Sequence, residues 1–234
     1  MKGKIVAIVL AAGQGKRMNS QVAKQYLQIN DKPLLYYTLS AFENSDVQEI
    51  ILVTGKGEEQ YCKENIVDQY GIKKVTTIVA GGDERYDSVY QGLLACRGTE
   101  YVLIHDGARP CITPEIINRT IDAVEIHKAC IVTMPAKDTI KGTDDNGIVR
   151  ETYDRDTLQI VQTPQAFSYP LILQAYEKIM LKEHGNVTDD AMVVESMTQV
   201  PIHVVEGSYT NIKVTTPEDI LIAELFLNKI APYD

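Results

Sequence analysis

Four features are missing from this 234-residue chain, and each absence narrows what it can be. Cysteines are few and unpaired. Cys62, Cys96, Cys111 and Cys130 form no C-x-x-C pair and scatter over apparent helices and strands, which reads as free thiols in a reducing cytoplasm. The four histidines, His105, His127, His184 and His203, share no metal-ligand spacing, so a zinc site is not expected. No apolar run approaches the length that spans a bilayer. Positive charge is outnumbered, 23 Lys and Arg against 32 Asp and Glu, for a net charge of −9. That balance excludes a surface built for nucleic acid or anionic membrane, and any phosphate must be held by local cations inside an acidic protein. Repeats and low-complexity tracts are absent as well.

What is present begins at the amino end. Ile5-Val6-Ala7-Ile8-Val9-Leu10 is an unbroken apolar run that reads as a strand buried on both faces of a sheet. It empties into Ala11-Ala12-Gly13-Gln14-Gly15-Lys16-Arg17-Met18, small residues whose backbone N–H groups can approach an anion. Lys16, Arg17 and then Lys24 supply fixed positive charge, so the segment reads as a phosphate site. Met18 stands where a dinucleotide-binding G-x-G-x-x-G needs its third glycine, and Arg17 follows Gly15-Lys16 where a P-loop needs Ser or Thr. Lys2 and Lys4 before a short apolar stretch and an alanine pair imitate a secretory signal. Cleavage near Ala12 would remove a core strand, which argues against one.

Strands and helices then alternate. Helices are predicted over 34–42, 58–70, 85–96, 114–127, 170–182, 189–197 and 218–229, and further strands over 49–54, 74–80, 101–104, 130–134 and 202–205. Between Ala136 and Ala166 the rhythm breaks. The turn-rich Thr143-Asp144-Asp145-Asn146-Gly147 lies between short extended arms, which predicts a β-hairpin over Lys137 to Tyr153, too short to hold its own core. The expected architecture is α/β and Rossmann-like: a mostly parallel sheet with helices on both faces, one domain over 1–234 and a protruding hairpin arm. In open α/β sheets ligands bind beyond the carboxyl ends of the strands, which brings the loops at Gly13, Gly82 and Asp106 to one crevice. Gly81-Gly82-Asp83-Glu84-Arg85 can meet a base edge through its backbone, with Ser88 adding a hydroxyl; the plainer reading is a glycine turn with Asp83 as helix cap. His105-Asp106-Gly107-Ala108-Arg109-Pro110 offers a carboxylate able to hold a metal ion, a sugar hydroxyl or Arg109.

Across nearly the whole chain these residues resemble the 2-C-methyl-D-erythritol 4-phosphate cytidylyltransferase family, of the non-mevalonate route to isoprenoids. The resemblance rests on Ala11 to Met18, Lys24-Gln25-Tyr26, Gly81 to Arg85 with Asp87-Ser88-Val89, and His105 to Pro110. Asp138-Thr139, Gln162-Thr163-Pro164-Gln165, Thr188-Asp189-Asp190-Ala191 and Asn211 to Thr215 extend it. It implies that Ala11, Ala12, Gly13 and Gly15 wrap the CTP phosphates, and that Arg17 and Lys24 stabilise the transition state. It further implies that Gly82, Asp83 and Ser88 face cytosine, and that Asp106, Arg109, Thr163 and Lys213 lie on the sugar-phosphate side. Thr139 and Arg155 would reach the substrate of the neighbouring subunit from the arm of a homodimer. Magnesium would be tied mainly to the triphosphate oxygens. One position departs from the family: Ala23 precedes Lys24 where proline is usual.

The implied reaction needs no covalent intermediate. A phosphate oxygen of the acceptor attacks the α-phosphorus of CTP and pyrophosphate leaves in line, so catalysis is positioning plus cation placement. That accounts for motifs rich in Lys, Arg and Gly without a Ser–His or Cys–His pair. The nearest alternative is a ribitol 5-phosphate cytidylyltransferase, which usually shows Ala-Val-Arg-Pro in place of Gly107-Ala108-Arg109-Pro110 and Gly-Gly in place of Ala11-Ala12. A nicotinamide-dependent oxidoreductase would want the missing third glycine. A nucleotide-sensing module would have no use for Arg17 and Lys24.

Overall fold

In the computed structural model, residues 3–13, 23–181 and 187–229 are described. The loop residues Gln14 to Met18, and with them Gly15, Lys16 and Arg17, lie outside that set, as do Lys182 and His184.

A seven-stranded sheet runs in the order β11-β7-β10-β6-β1-β4-β5. β1 (Ile5–Ala11) pairs in parallel with β4 (Glu49–Thr54) and with β6 (Tyr101–Asp106), and β4 pairs in parallel with β5 (Val75–Ala80). On the far side β7 (Ala129–Pro135) pairs in parallel with β11 (His203–Glu206). β10 (Gln159–Ser168) fills the gap between β6 and β7 and is antiparallel to both. This strand is the main departure from the predicted rhythm, in which the segment had no place in the sheet. From Gln162 to Phe167 it is buried, and Gln162, Thr163 and Gln165 there hide the apolar signature of a core strand.

β1 shows why the sheet has two covered faces. Ile5, Ala7, Val9 and Ala11 belong to one core, with Leu35, Leu39 and Phe42 of α1 (Leu34–Glu43) and Ile117, Ile121 and Val124 of α4 (Pro114–His127). Val6 and Ile8 belong to the other. There they meet Val89 and Leu93 of α3 (Arg85–Ala95), Ile172 and Tyr176 of α5 (Tyr169–Met180), and Val193 and Val194 of α6 (Asp190–Met197). Close packing on this face fixes Gly92: a Cβ there would stand 2.5 Å from Ile8 Cγ2. α7 (Pro217–Leu227) covers a third cluster with Ile29, Leu34 and Tyr37. Cys62, Cys96, Cys111 and Cys130 are all buried and unpaired, and burial pushes the last three thiols up to about 12.

Three further features depart from the sequence reading. β6 continues through His105 and Asp106 instead of stopping at Ile104, which fixes both residues at the carboxyl end of a central strand. The helix predicted over 58–70 is α2 (Glu59–Cys62), widening into a π turn over Lys63–Asp68 before Gly71 takes a left-handed φ of 66°. A small hairpin, β2 (Gln28–Ile29) and β3 (Lys32–Pro33), precedes α1 and was not anticipated. The arm is present as β8 (Lys141–Thr143) and β9 (Val149–Thr152), antiparallel, with Asp144 accepting from the backbone N–H of Asn146 and Ile148 at its tip. No helix among the described residues is long and apolar enough to cross a membrane.

Candidate active site

β1 and β6 are the neighbours from which connections leave in opposite directions across the sheet, and a cavity of about 510 Å³ opens beyond their carboxyl ends. Ala11, Ala12, Gly13, Lys24, Gly82, Asp83, Ser88, Asp106 and Lys213 all line it. Nine of the predicted residues, from five separate stretches of chain, thus share one space. Gly15 and Arg17 lie outside the described residues.

The glycine turns are dictated by proximity. A Cβ on Gly81 would stand 2.6 Å from Ala12 Cβ and 2.6 Å from Ser88 Oγ, so only glycine lets the second loop reach the first. The Ser88 hydroxyl accepts from Gly82 N–H at 3.1 Å and donates to the Glu84 carbonyl at 3.2 Å, fixing the turn from inside. α3 is capped by Glu84 in a reciprocal pair with Asp87, not by Asp83, which is left on the cavity wall. Lys24 sits on a 3-10 turn, Lys24–Tyr26, and its stem passes over Gly13 with Cε 3.9 Å from where a Cβ would lie. Its Nζ donates to the Val214 carbonyl at 3.3 Å, beside Lys213.

Asp106 is the electrostatic centre. Lys213 Nζ lies 2.7 Å from Oδ2, Arg85 Nε 3.1 Å from Oδ1 and Arg109 Nε 4.0 Å from Oδ2. Arg109, which the sequence offered as one alternative partner beside a metal ion and a sugar hydroxyl, is the most distant of the three cations. Burial alone would raise the carboxyl; the charges of Arg85, Lys213 and Arg109 outweigh it and hold the group well below the usual carboxylate range. Arg109 is set back from the cavity, donating through Nη1 to the Asn211 carbonyl at 2.8 Å. Thr163 lies beneath, its hydroxyl accepting from Asp106 N–H at 3.1 Å and 3.0 Å from His105 Nδ1. Thr139 and Arg155 do not line the cavity; both are exposed on the arm side, and Arg155 Nη1 donates to the Lys137 carbonyl at 3.2 Å. Among the described residues no three His, Cys, Asp or Glu side chains gather as metal ligands.

His105 makes a pH prediction. It is fully buried, and desolvation holds its imidazole down to about 3. The unfolded chain takes up that proton near the ordinary histidine value of about 6.5, whereas the folded chain refuses it. The stability from this site is thus complete above about pH 6.5 and drains away as pH falls towards 3, by several kcal/mol in all (~1.4 kcal/mol per unit). Acid unfolding of a His105→Gln variant should be flatter across that window; an unchanged slope would show that His105 is not the group that titrates.

Sequence reasoning gave Arg85, Gln165 and Asp190 no role, although each stands inside a quoted motif. It also passed over Glu58, which lines the cavity and accepts from Tyr26 Oη at 2.7 Å. Nothing local marks these residues, because their partners lie far away in the chain.

Comparison with known proteins agrees with this geometry. A family model described as IspD, 2-C-methyl-D-erythritol 4-phosphate cytidylyltransferase, matches residues 5–229. A relative of that name from Lachnoclostridium phytofermentans is 52% identical over 226 residues, covering 97% of each chain. One from Alkaliphilus oremlandii is 48% identical, covering 96% of this chain and 95% of the relative. A crystal structure of 4-diphosphocytidyl-2C-methyl-D-erythritol synthase from Anaerococcus prevotii superposes with a TM-score of 0.86 at 37% identity, covering 97% of each chain. The cytidylyltransferase from Thermus thermophilus superposes with a TM-score of 0.77 at 27% identity, covering 94% of this chain and 98% of the other.

Proposed function

The chain belongs to the 2-C-methyl-D-erythritol 4-phosphate cytidylyltransferase family, and we propose how its crevice moves the cytidylyl group of CTP onto the methylerythritol phosphate. The observation that carries the reading is the meeting of bare-backbone loops (Ala12, Gly13, Gly82) with Lys24, Asp106 and Lys213 on one cavity. The relatives named for methylerythritol phosphate favour that acceptor over ribitol 5-phosphate, in keeping with Gly107-Ala108 and Ala11-Ala12.

The backbone of Ala11 to Gly13 takes the triphosphate, with Arg17 and Lys24 meeting charge that builds at the α-phosphorus. The Gly82 backbone and Asp83 take the cytosine edge, with Ser88 holding their turn in shape. Asp106 and Lys213 hold the acceptor: the carboxylate orients hydroxyls and the ammonium steers the phosphate, while Arg109 and Thr163 support them from behind. An acceptor phosphate is already nucleophilic near neutral pH, so no general base is required. Of the described carboxylates on the cavity wall, Asp106 is committed to Lys213 and Arg85, Glu58 to Tyr26 and Glu84 to the cap of α3, which leaves Asp83 alone on the base side, too few for a protein cage. The residues therefore fit a magnesium ion carried on the triphosphate oxygens, where it would neutralise part of their charge, rather than one caged by protein.

The arm is the part of the site that one chain does not complete. Ile140, Ile148, Val149 and Tyr153 are exposed on it, and an isolated two-stranded ribbon is marginal in water. Two arms clasped across a twofold axis would cover these side chains and carry Thr139 and Arg155 to the partner's acceptor. Arg155→Ala should then raise KM for the sugar phosphate far more than for CTP. Mixing Arg155→Ala with Lys24→Ala subunits should restore activity in a fraction of heterodimers, since one of their two pockets holds both intact residues. No recovery while subunits demonstrably exchange would place Arg155 within its own site.

A further inference from the structure

Three motif residues without a role in this scheme form a single polar row that runs from the interior to the acceptor side, with Asp190 and Gln165 buried and Arg85 reaching the cavity wall. Asp190, fully buried at the first turn of α6, takes Arg85 through two parallel bonds, Nη1 to Oδ1 at 3.0 Å and Nη2 to Oδ2 at 2.8 Å. Tyr176 Oη donates to the same Oδ1 at 2.6 Å. Arg85 then presents its remaining edge, Nε, to Asp106, whose second oxygen holds Lys213. Read from the interior outward the charges alternate: Asp190, Arg85, Asp106, Lys213. Gln165 anchors the row, its Oε1 accepting from the N–H of Asp190 at 3.0 Å and of Ala191 at 2.9 Å, while its Nε2 donates to Asp189 at 2.9 Å.

We infer that Asp190 and Arg85 are positioning residues for the acceptor substrate, fixing through Asp106 where the Lys213 ammonium stands. This rests on the proposed acceptor role of Lys213. Docking of α6 does not require the ion pair, because Gln165 and the Asp189 cap, which accepts from Met192 N–H at 2.9 Å, already tie down its first turn. What the fork on Asp190 adds is direction: a guanidinium gripped along one edge has a single way to offer the other. It also adds charge balance. Arg85 is shared between two carboxylates, so Asp106 keeps attraction to spare for Lys213. With Asp190 neutral, the whole cationic charge would fall on Asp106, draw it towards α3 and loosen Lys213. Lysine at position 85 would keep the charge, but its point-like ammonium cannot hold both carboxylates in this geometry.

Steady-state kinetics with CTP and the methylerythritol phosphate varied separately decide the matter, on Asp190→Asn, Arg85→Lys, Lys213→Ala and Asp190→Asn with Lys213→Ala. Each single variant should raise KM for the sugar phosphate by about tenfold or more and KM for CTP by less than about threefold. Asp190→Asn added to Lys213→Ala should change that KM by less than about twofold, because both act through the same ammonium. Melting temperatures show whether each variant is folded, and Arg85→Lys decides if Asp190→Asn is not. If Lys213→Ala raises the sugar-phosphate KM while the folded position-85 and position-190 variants only melt earlier, the row is a structural bridge and the inference falls alone. If Lys213→Ala itself leaves that KM unchanged, the acceptor role of Lys213 falls, and the inference with it.

Discussion

Replacing Lys24 with alanine is expected to lower kcat by about a hundredfold or more while the fold survives. A preorganised charge aimed at the transition state is worth roughly 2.7–4 kcal/mol when removed. Lys24 meets the requirement for preorganisation: its turn is braced by Tyr26, whose hydroxyl donates to Glu58 at 2.7 Å and lies 3.0 Å from Cys62 Sγ. Ala23, where the family usually has proline, has a φ of −59°, inside the range that proline would impose, so the substitution leaves the backbone already set. Arg17→Ala should lose a similar factor, since two cations share the developing charge. The check is kcat at saturating substrates, with circular dichroism confirming the fold. Turnover within a few-fold of the parent in either variant would remove these residues from the chemistry.

Asp106→Asn should reduce kcat/KM by at least about a hundredfold, equivalent to ~2.7 kcal/mol and near the lower end of what breaking a buried ion pair costs. Asparagine keeps the shape but removes the charge that gathers Lys213 and Arg85 on one carboxylate. Arg85 retains Asp190, so the fold should persist and the loss should appear in catalysis more than in melting temperature. The sign of the pH dependence follows from the depressed carboxyl. In the unfolded chain the group ionises near 3.9, and its stabilising contribution is complete above that value and fades only as pH falls further, towards the folded pKa. Between about pH 5 and 9 the Asp106 carboxylate should therefore impose no inflection on kcat/KM. An Asp106→Asn enzyme with kcat/KM within about threefold of the parent would refute the assignment.

Much of this was legible in the chain because buried parallel strands advertise themselves. β4 and α4 coincide with the predicted 49–54 and 114–127. The switch-point rule brought Gly13, Gly82 and Asp106 together without coordinates. β10 escaped notice because Gln162, Thr163 and Gln165 are buried for their hydrogen bonds, not their hydrophobicity. The Asp190–Arg85–Asp106 row escaped for a different reason. Arg85 and Asp190 are 105 positions apart, and the same residues read locally as ordinary first-turn charges of two helices. Spacing within a motif reports local geometry; it does not report which distant motif lies across the sheet.

The central claim, that the crevice selects CTP and the methylerythritol phosphate together, is tested most directly by pyrophosphate release. CTP and UTP are each paired with 2-C-methyl-D-erythritol 4-phosphate and with ribitol 5-phosphate. A pocket built to pair with a base's hydrogen-bonding edge rejects the wrong base more strongly than one relying on shape. Rapid release is expected from CTP with the methylerythritol phosphate alone, the other three combinations falling behind by about tenfold or more in kcat/KM. Equal rates with CTP and UTP would contradict the Gly82–Asp83 base site, and equal or faster release with ribitol 5-phosphate would contradict the acceptor side.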